Sequence, residues 1–139
     1  MTVSFFGHRK LYEKTEVEKR LTDCILNLLE NGASEFLLGD YGEFDRLCAT
    51  VLHRQRANDP QMRLIYVQPY LDRAPLENIF DASVYPSLEA VPKRYAIPKR
   101  NEWMIEQSDF VVIYCRTSYG GAATASAYAT RKKKRVIFL

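Results

Sequence analysis

Short apolar runs alternate with amphipathic helical segments along almost the whole of this 139-residue chain. Five of these runs have the length of strands and are bounded by glycine, proline or polar residues, at positions 3–6, 35–38, 63–67, 110–114 and 135–139. Most positions in each run are apolar, as expected for parallel strands that are covered on both faces. The pattern therefore predicts an α/β fold with helices on both sides of a mainly parallel sheet.

The segments between these strands have the periodicity of helices, about 3.6 residues per turn. Four helices are predicted, over residues 15–30, 43–57, 98–107 and 122–130. Right-handed crossovers between parallel strands favour a five-stranded sheet in the order 3-2-1-4-5, which is a Rossmann-like three-layer α/β/α arrangement. The chain length suits one domain over residues 1–139.

The segment from residue 70 to residue 98 breaks the alternation. It carries four prolines and no clean periodicity, so we predict an irregular connection with one helical turn at 76–80 and one short strand at 83–85. A connection of this length within a compact domain is usually functional or lid-like.

In a sheet of this order, ligands bind where the strand order reverses, at the carboxyl ends of strands 1 and 4. Three loops leave the sheet at this edge, and they contain Gly7-His8-Arg9, Gly39-Asp40-Tyr41 and Gly120-Gly121. We therefore expect these loops to line one pocket.

The Gly120-Gly121 turn joins the apolar run at 110–114 to a helix of small residues. A strand, a tight turn and a helix N-terminus present several backbone N–H groups and the positive end of the helix dipole to one point, which suits a phosphate. The glycines allow a ligand to approach closely, and the Thr124 hydroxyl offers a further donor. Taken alone, the same residues fit a purely structural turn, but the meeting of three loops favours the phosphate site.

Four polar residues near this edge have a binding interpretation and a structural one. Arg9 can pair with a phosphate and His8 can make a polar contact, or both can lie in a solvated loop. Asp40 can accept hydrogen bonds from a ribose or can cap the helix that follows it. Arg100 can hold phosphate or sugar, or can lie in a solvated first turn.

The charge balance and hydropathy exclude several classes of protein. Twenty Lys and Arg against seventeen Asp and Glu give a net charge of only +3, too small to indicate nucleic-acid binding by itself. The basic run at 131–135 fits a helix C-terminus followed by a protected edge strand, with nucleic-acid binding as the alternative. With no apolar run of about 18 residues and no secretion signal, we expect a cytoplasmic protein without a membrane partner.

Nothing in the sequence predicts a metal or another cofactor. The three cysteines are widely spaced and form no CxxC pair, which is typical of reduced thiols in the cytoplasm. The two histidines are far apart and neither lies near a cysteine pair, so no zinc site is expected. The sequence contains no GxSxG, HExxH or P-loop motif.

Four segments together, at residues 6–9, 39–45, 100–109 and 119–124, resemble the SLOG superfamily. This Rossmann-like group includes the LOG-type nucleotide phosphoribohydrolases and the DprA/Smf DNA-processing proteins, and the resemblance is greatest to its DUF1273/YpsA-like branch. The resemblance spans nearly the whole chain and implies a nucleotide-type ligand. Because relatives in this superfamily often pair, it also implies a possible homodimer.

The chain departs from the LOG pattern at the position that hydrolysis requires. The arginine of that pattern matches Arg100, but the glutamate of its PGGxGTxxE turn is Ala127 here. A methyl group cannot stabilise an oxocarbenium-like centre or activate water. The resemblance therefore implies a binding or sensor module more than an enzyme, unless Glu43, Asp40 or Glu102 replaces the missing carboxylate.

The sequence thus predicts a protein that binds a nucleotide or nucleotide derivative at the carboxyl edge of its sheet. The ligand-binding residues are assigned as Gly120, Gly121, Thr124, Arg9 and Arg100 for phosphate, Asp40 for ribose, and Tyr41 or Tyr119 for the base, with Gly7, His8 and Gly39 beside them. A nucleotide N-glycosidase with a relocated carboxylate is the alternative. DNA binding through residues 131–135 is the third interpretation.

Overall fold

The alternation of strands and helices is confirmed in the computed structural model, which describes residues 1–75 and 77–139. In chain order the elements are β1 (Thr2–Gly7), α1 (Lys14–Glu30), β2 (Glu35–Leu38), α2 (Glu43–Arg56), β3 (Arg63–Val67), β4 (Ala82–Val84), a 3₁₀ turn (Lys93–Tyr95), α3 (Ala96–Gln107), β5 (Phe110–Tyr114), α4 (Gly121–Arg131) and β6 (Arg135–Phe138). None of the helices in the described ranges is long and apolar enough to span a membrane.

The sheet has the order β4-β3-β2-β1-β5-β6, and every neighbouring pair is parallel. The predicted order of the five main strands is confirmed. The short strand predicted at 83–85 is present as β4, and it pairs with β3, so the sheet has six strands and not the five that were predicted. Asp81 anchors this short strand, since its carboxylate accepts the Leu64 N–H at 2.8 Å and lies 3.0 Å from the Arg56 guanidinium. The predicted helical turn at 76–80 lies partly outside the described residues.

Successive side chains of each strand point to opposite faces of the sheet, and each face has its own apolar core. Val3 and Phe5 of β1 belong to the core beneath α1 and α2, whereas Phe6 belongs to the core beneath α3 and α4. Helix α3 begins at Ala96, two residues before the predicted start. Pro98 is tolerated there because N–H groups in the first turn of a helix have no intrahelical partner.

The parallel register brings the carboxyl ends of β2, β1 and β5 to the same edge of the sheet. Gly7 at the end of β1 lies beside Tyr114 at the end of β5. The chain runs from β1 to β2 on one side and has β5 on the other, so the strand order reverses at β1. The candidate site lies at this reversal.

Candidate functional site

A cleft of about 410 Å³ opens at the carboxyl ends of β1, β2 and β5. The predicted binding residues that line it are Gly7, His8, Arg9, Gly39, Tyr41, Arg100, Tyr119, Gly120 and Gly121. The structure therefore brings the three predicted loops to one cavity. Asp40 and Thr124 are not among the lining residues.

His8 ties the loop after β1 to the loop after β5. Its Nε2 atom accepts the backbone N–H of Arg116 at 2.7 Å, and its ring meets the Tyr114 ring edge-on with centroids 5.4 Å apart. Burial, and then the nearby Arg116 charge, lower the pKa of His8. Because an imidazolium cannot accept a hydrogen bond, the neutral ring holds the two loops together.

The N-terminus of α4 faces the cleft. Gly120 has φ 93°, a left-handed conformation that glycine adopts readily, and its carbonyl accepts the Thr124 N–H at 3.0 Å as the first bond of the helix. The N–H groups before Thr124 therefore have no partner within the helix. A Cβ atom placed on Gly121 would meet no described atom within 4 Å, so a ligand has room to approach these groups. The Thr124 hydroxyl donates to the Gly120 carbonyl at 3.0 Å, within the helix.

The N-terminus of α2, at the same edge, is closed by the protein itself. The Glu43 N–H donates to the Arg9 carbonyl at 2.8 Å, and the Glu43 carboxylate accepts the Leu11 N–H at 2.6 Å. Gly42 has φ 114°, and a Cβ there would lie 2.6 Å from the Arg9 Cα. Glu43 thus holds the loop after β1 in place, and α4 offers the open helix terminus.

Arg100 is buried in the floor of the cleft, with only 3% of its surface exposed. Its Nη1 donates to the Val67 carbonyl at 3.0 Å and its Nε donates to the Asn101 side-chain oxygen at 2.9 Å. A Cβ on Gly39 would lie 2.8 Å from both terminal nitrogens of the guanidinium. The guanidinium therefore occupies space that is open only because residue 39 is a glycine. This burial is contrary to the interpretation of Arg100 as part of a solvated first turn.

Asp45 is a cleft residue that sequence reasoning did not single out. It is 8% exposed, and its Oδ2 accepts the Tyr41 N–H at 3.0 Å. Burial raises the pKa of Asp45 to about 6, even though Arg100 and the Tyr41 N–H act in the opposite direction. Its position three residues before the buried Cys48 places it on the inner face of α2, so helical periodicity could have revealed it.

The cleft is strongly cationic although the chain carries a net charge of only +3. Of the charged side chains that line it within the described part of the chain, Asp45 is acidic and four are basic, namely Arg9, Lys10, Arg100 and Arg116. The Arg9 guanidinium lies 4.6 Å from the centre of the Tyr41 ring, which keeps it at the mouth of the cleft. Clustered cations and an open helix N-terminus both favour an anion.

The three carboxylates predicted to replace the missing LOG glutamate do not line this cleft. Glu43 holds the Leu11 N–H, and Glu102 pairs with Lys99 at 3.3 Å. Asp40 lines a smaller cavity of about 40 Å³. Residues 1–75 and 77–139 contain no group of three or more potential metal ligands.

The basic run at 131–135 lies at the other end of α4 from the cleft. Lys132 lies 4.0 Å from the Glu106 carboxylate, and the Lys134 ammonium donates to the Glu106 carbonyl at 3.2 Å. Tyr128 donates to the same carboxylate at 2.6 Å, so these cations and Tyr128 connect α4 to α3.

Comparison with known proteins extends the description of the fold. The sequence matches no protein-family model, and no curated protein sequence matches it. Among solved structures, it is similar to DNA processing protein A from Helicobacter pylori, with a TM-score of 0.67 and 18% sequence identity. The two proteins share a fold. That structure is described as giving insight into the unique single-stranded DNA binding mode of DNA processing protein A.

The similarity covers 99% of this chain and 64% of the DNA processing protein A chain. At this identity the likeness establishes the fold alone. The shared fold agrees with the Rossmann-like architecture predicted from sequence, and membership of the SLOG group stays a prediction. A place in the DUF1273/YpsA-like branch stays a prediction.

Proposed function

We propose that the protein binds a nucleotide-type ligand in the cleft, with the ligand's phosphate at the N-terminus of α4. The observation that carries this proposal is the concentration of positive charge, four basic side chains against one acidic, in a cleft that also contains a helix terminus whose first N–H groups have no partner within the helix. A volume of about 410 Å³ falls within the range of small-molecule sites.

The two sides of the cleft would contact different parts of such a ligand. Gly120 and Gly121 supply backbone donors on the β5 side, and Arg9 and Arg116 supply charge from the neighbouring loops. Tyr41 offers an aromatic ring to a base, although the Arg9 guanidinium stacks on this ring.

The test is thermal unfolding with a panel of nucleoside mono- and diphosphates, comparing wild type with Gly121→Ala. A ligand at a hundred times its Kd stabilises the fold by about 2.7 kcal/mol, which raises Tm by about 9 °C for a chain of this length. The added methyl group meets no described protein atom, but it would project into the space that the phosphate needs. We expect the ligand-induced shift to fall by at least half, while Tm without ligand is unchanged or higher.

Thr130→Ala is the matched control, because it also raises helix propensity on α4 but lies in the last turn. Its ligand-induced shift should equal that of wild type. A full shift in Gly121→Ala, or no shift with any nucleotide in wild type, would contradict the proposal.

Single-stranded DNA is a second candidate ligand, favoured by the exposed aromatic side chains at the cleft. Tyr12 and Tyr119 are 63% and 76% exposed and line the same cleft as Arg9 and Lys10, a combination suited to stacking bases along a cationic groove. The similarity in fold to DNA processing protein A makes this candidate worth testing. Fluorescence anisotropy with oligothymidines should then show affinity that rises with length and falls steeply with salt concentration. Affinity no higher than for thymidine monophosphate would argue against it.

A homodimer stays a prediction from sequence.

A further inference from the structure

The wall of the cleft opposite α4 carries a carboxylate. Among the described residues that line the cleft, Asp45 is the only acidic one. It lies near the start of α2, which follows β2, whereas α4 follows β5, and β1 separates these two strands. Two interstrand spacings of about 4.8 Å place the two walls about 10 Å apart. Asp45 therefore places a carboxylate acceptor at the end of the cleft away from α4, beside the buried Arg100.

The protein holds the Asp45 carboxylate beside buried polar partners. Its Oδ2 accepts the Tyr41 N–H at 3.0 Å, and the charge of Arg100, also buried, acts on it. One backbone N–H leaves most of the acceptor capacity of a carboxylate unused, because its two oxygens offer about four lone-pair sites. A buried carboxylate needs further hydrogen-bond donors, so a ligand that brings hydroxyl groups to this wall suits it.

We propose that Asp45 accepts hydrogen bonds from the ribose hydroxyls of the ligand, so that the cleft selects ribonucleotides over 2′-deoxyribonucleotides. This inference rests on the proposed function, since the phosphate at α4 sets the direction in which the sugar extends. The sequence assigned ribose to Asp40, but Asp45 is the acidic residue that lines the cleft.

The selection depends on the ionised form of Asp45, which accepts hydrogen bonds and donates none. The charged groups around it are Arg100 on α3, Asp40 in the loop after β2 and Arg46 on α2, and Arg9 lies at the mouth of the cleft. With a pKa of about 6, Asp45 is ionised above that pH and protonated below it. The preference for ribose should therefore be present at pH 7.5 and decline as the pH falls through 6.

The experiment is calorimetric titration of the whole chain with adenosine 5′-monophosphate and with 2′-deoxyadenosine 5′-monophosphate between pH 5 and 8. The measured quantity is the ratio of the two Kd values. Because the phosphates of both nucleotides titrate near pH 6, this contribution cancels in the ratio. A hydrogen bond to a charged group corresponds to a ratio of about 10 to 100 at pH 7.5, and we expect a ratio below about 3 at pH 5.

Asp45→Asn keeps a neutral acceptor but loses the charge, so it should reduce the ratio to below about 3 at every pH while binding of the deoxynucleotide stays within a few-fold of wild type. Asp23→Asn, which removes an exposed carboxylate from α1, should retain both the preference and its pH dependence. If Asp45→Asn does not fold, the pH dependence of the wild-type ratio decides alone. Equal Kd values for the two nucleotides at pH 7.5 would overturn this inference and leave the proposed function intact. Failure of both nucleotides to bind, together with no thermal shift for any member of the nucleotide panel, would overturn the two together.

Discussion

Replacing Gly39 by alanine tests how tightly the floor of the cleft is packed. A Cβ at this position would lie 2.8 Å from both terminal nitrogens of Arg100 and 2.9 Å from its central carbon. The guanidinium ends a flexible side chain, but it is 3% exposed and bonded to the Val67 carbonyl at 3.0 Å. Arg100 therefore has to move, and moving breaks this hydrogen bond.

The expected loss of stability follows from two opposing effects. Overpacking a well-packed site costs about 1 to 3 kcal/mol, and losing a hydrogen bond from a charged group costs a similar amount. The two costs do not add in full, because a movement of Arg100 that breaks the hydrogen bond also relieves the steric clash. Alanine also lowers the conformational entropy of the unfolded chain, which stabilises the native state by about 0.4 to 1 kcal/mol. We expect a net destabilisation of about 1 to 3 kcal/mol, or a fall in Tm of about 3 to 10 °C.

The assay is urea unfolding followed by circular dichroism, with Gly121→Ala as the matched control. The chemical change is the same, but at Gly121 the new Cβ meets no atom of the described chain within 4 Å. The control should be as stable as wild type or more stable. Repeating Gly39→Ala in an Arg100→Lys background keeps the charge and removes the planar guanidinium, so the cost of the alanine should fall by at least 1 kcal/mol.

Two results would refute this reasoning. A Gly39→Ala protein within 0.5 kcal/mol of wild type, by the usual scale of surface substitutions, would show that the floor of the cleft adapts freely. An equal cost of the alanine in the wild-type and Arg100→Lys backgrounds would show that the guanidinium is not the group displaced.

Two further predictions concern pH. The pKa of Asp45 is raised from 3.8 to about 6, so the native state binds this proton more tightly than the unfolded state does. The stability that the protonated Asp45 contributes is therefore fully present below pH 3.8 and declines as the pH rises to 6. As the pH rises between these values, the free energy of unfolding of wild type, measured in urea, should fall by up to about 3 kcal/mol relative to that of Asp45→Asn. If the unfolding free energies of the two proteins depend on pH in the same way, the raised pKa is contradicted. The lowered pKa of His8 should appear as an NMR titration midpoint below 6.5, and a midpoint above it would contradict the hydrogen bond from the Arg116 N–H.

Most of the fold could be predicted from sequence because strand and helix periodicities are local properties. The bounds of β2, β3 and β5 agree with the sequence, since each is a compact apolar run ended by glycine, proline or a polar residue. The meeting of the three loops followed from the strand order, which places the carboxyl ends of parallel strands at one edge. The short strand β4 carries a weak local signal, because its pairing depends on Asp81, whose partners are 17 residues or more away in the chain.

The assignment of individual side chains to the site was less predictable, because it depends on packing between distant segments. Arg100 was predicted as a site residue, but its burial depends on the Val67 carbonyl, 33 positions away. Thr124 and Asp40 were predicted to contact the ligand from their proximity to the glycine loops in sequence, and neither lines the cleft. Asp45 lies in α2, whereas the sequence assigned the ribose contact to Asp40, in the loop before this helix.

The amino-acid sequence by itself determined the five main strands, the four α-helices, the order of those strands in the sheet and the edge at which the cleft opens, because hydrophobic periodicity and chain connectivity leave few alternatives. Only the tertiary structure decided which charged groups face the cleft and which are used within the protein. Burial and hydrogen bonding between remote residues set that division: Glu43 holds a loop, whereas Asp45 and Arg100 remain in the wall of the cleft.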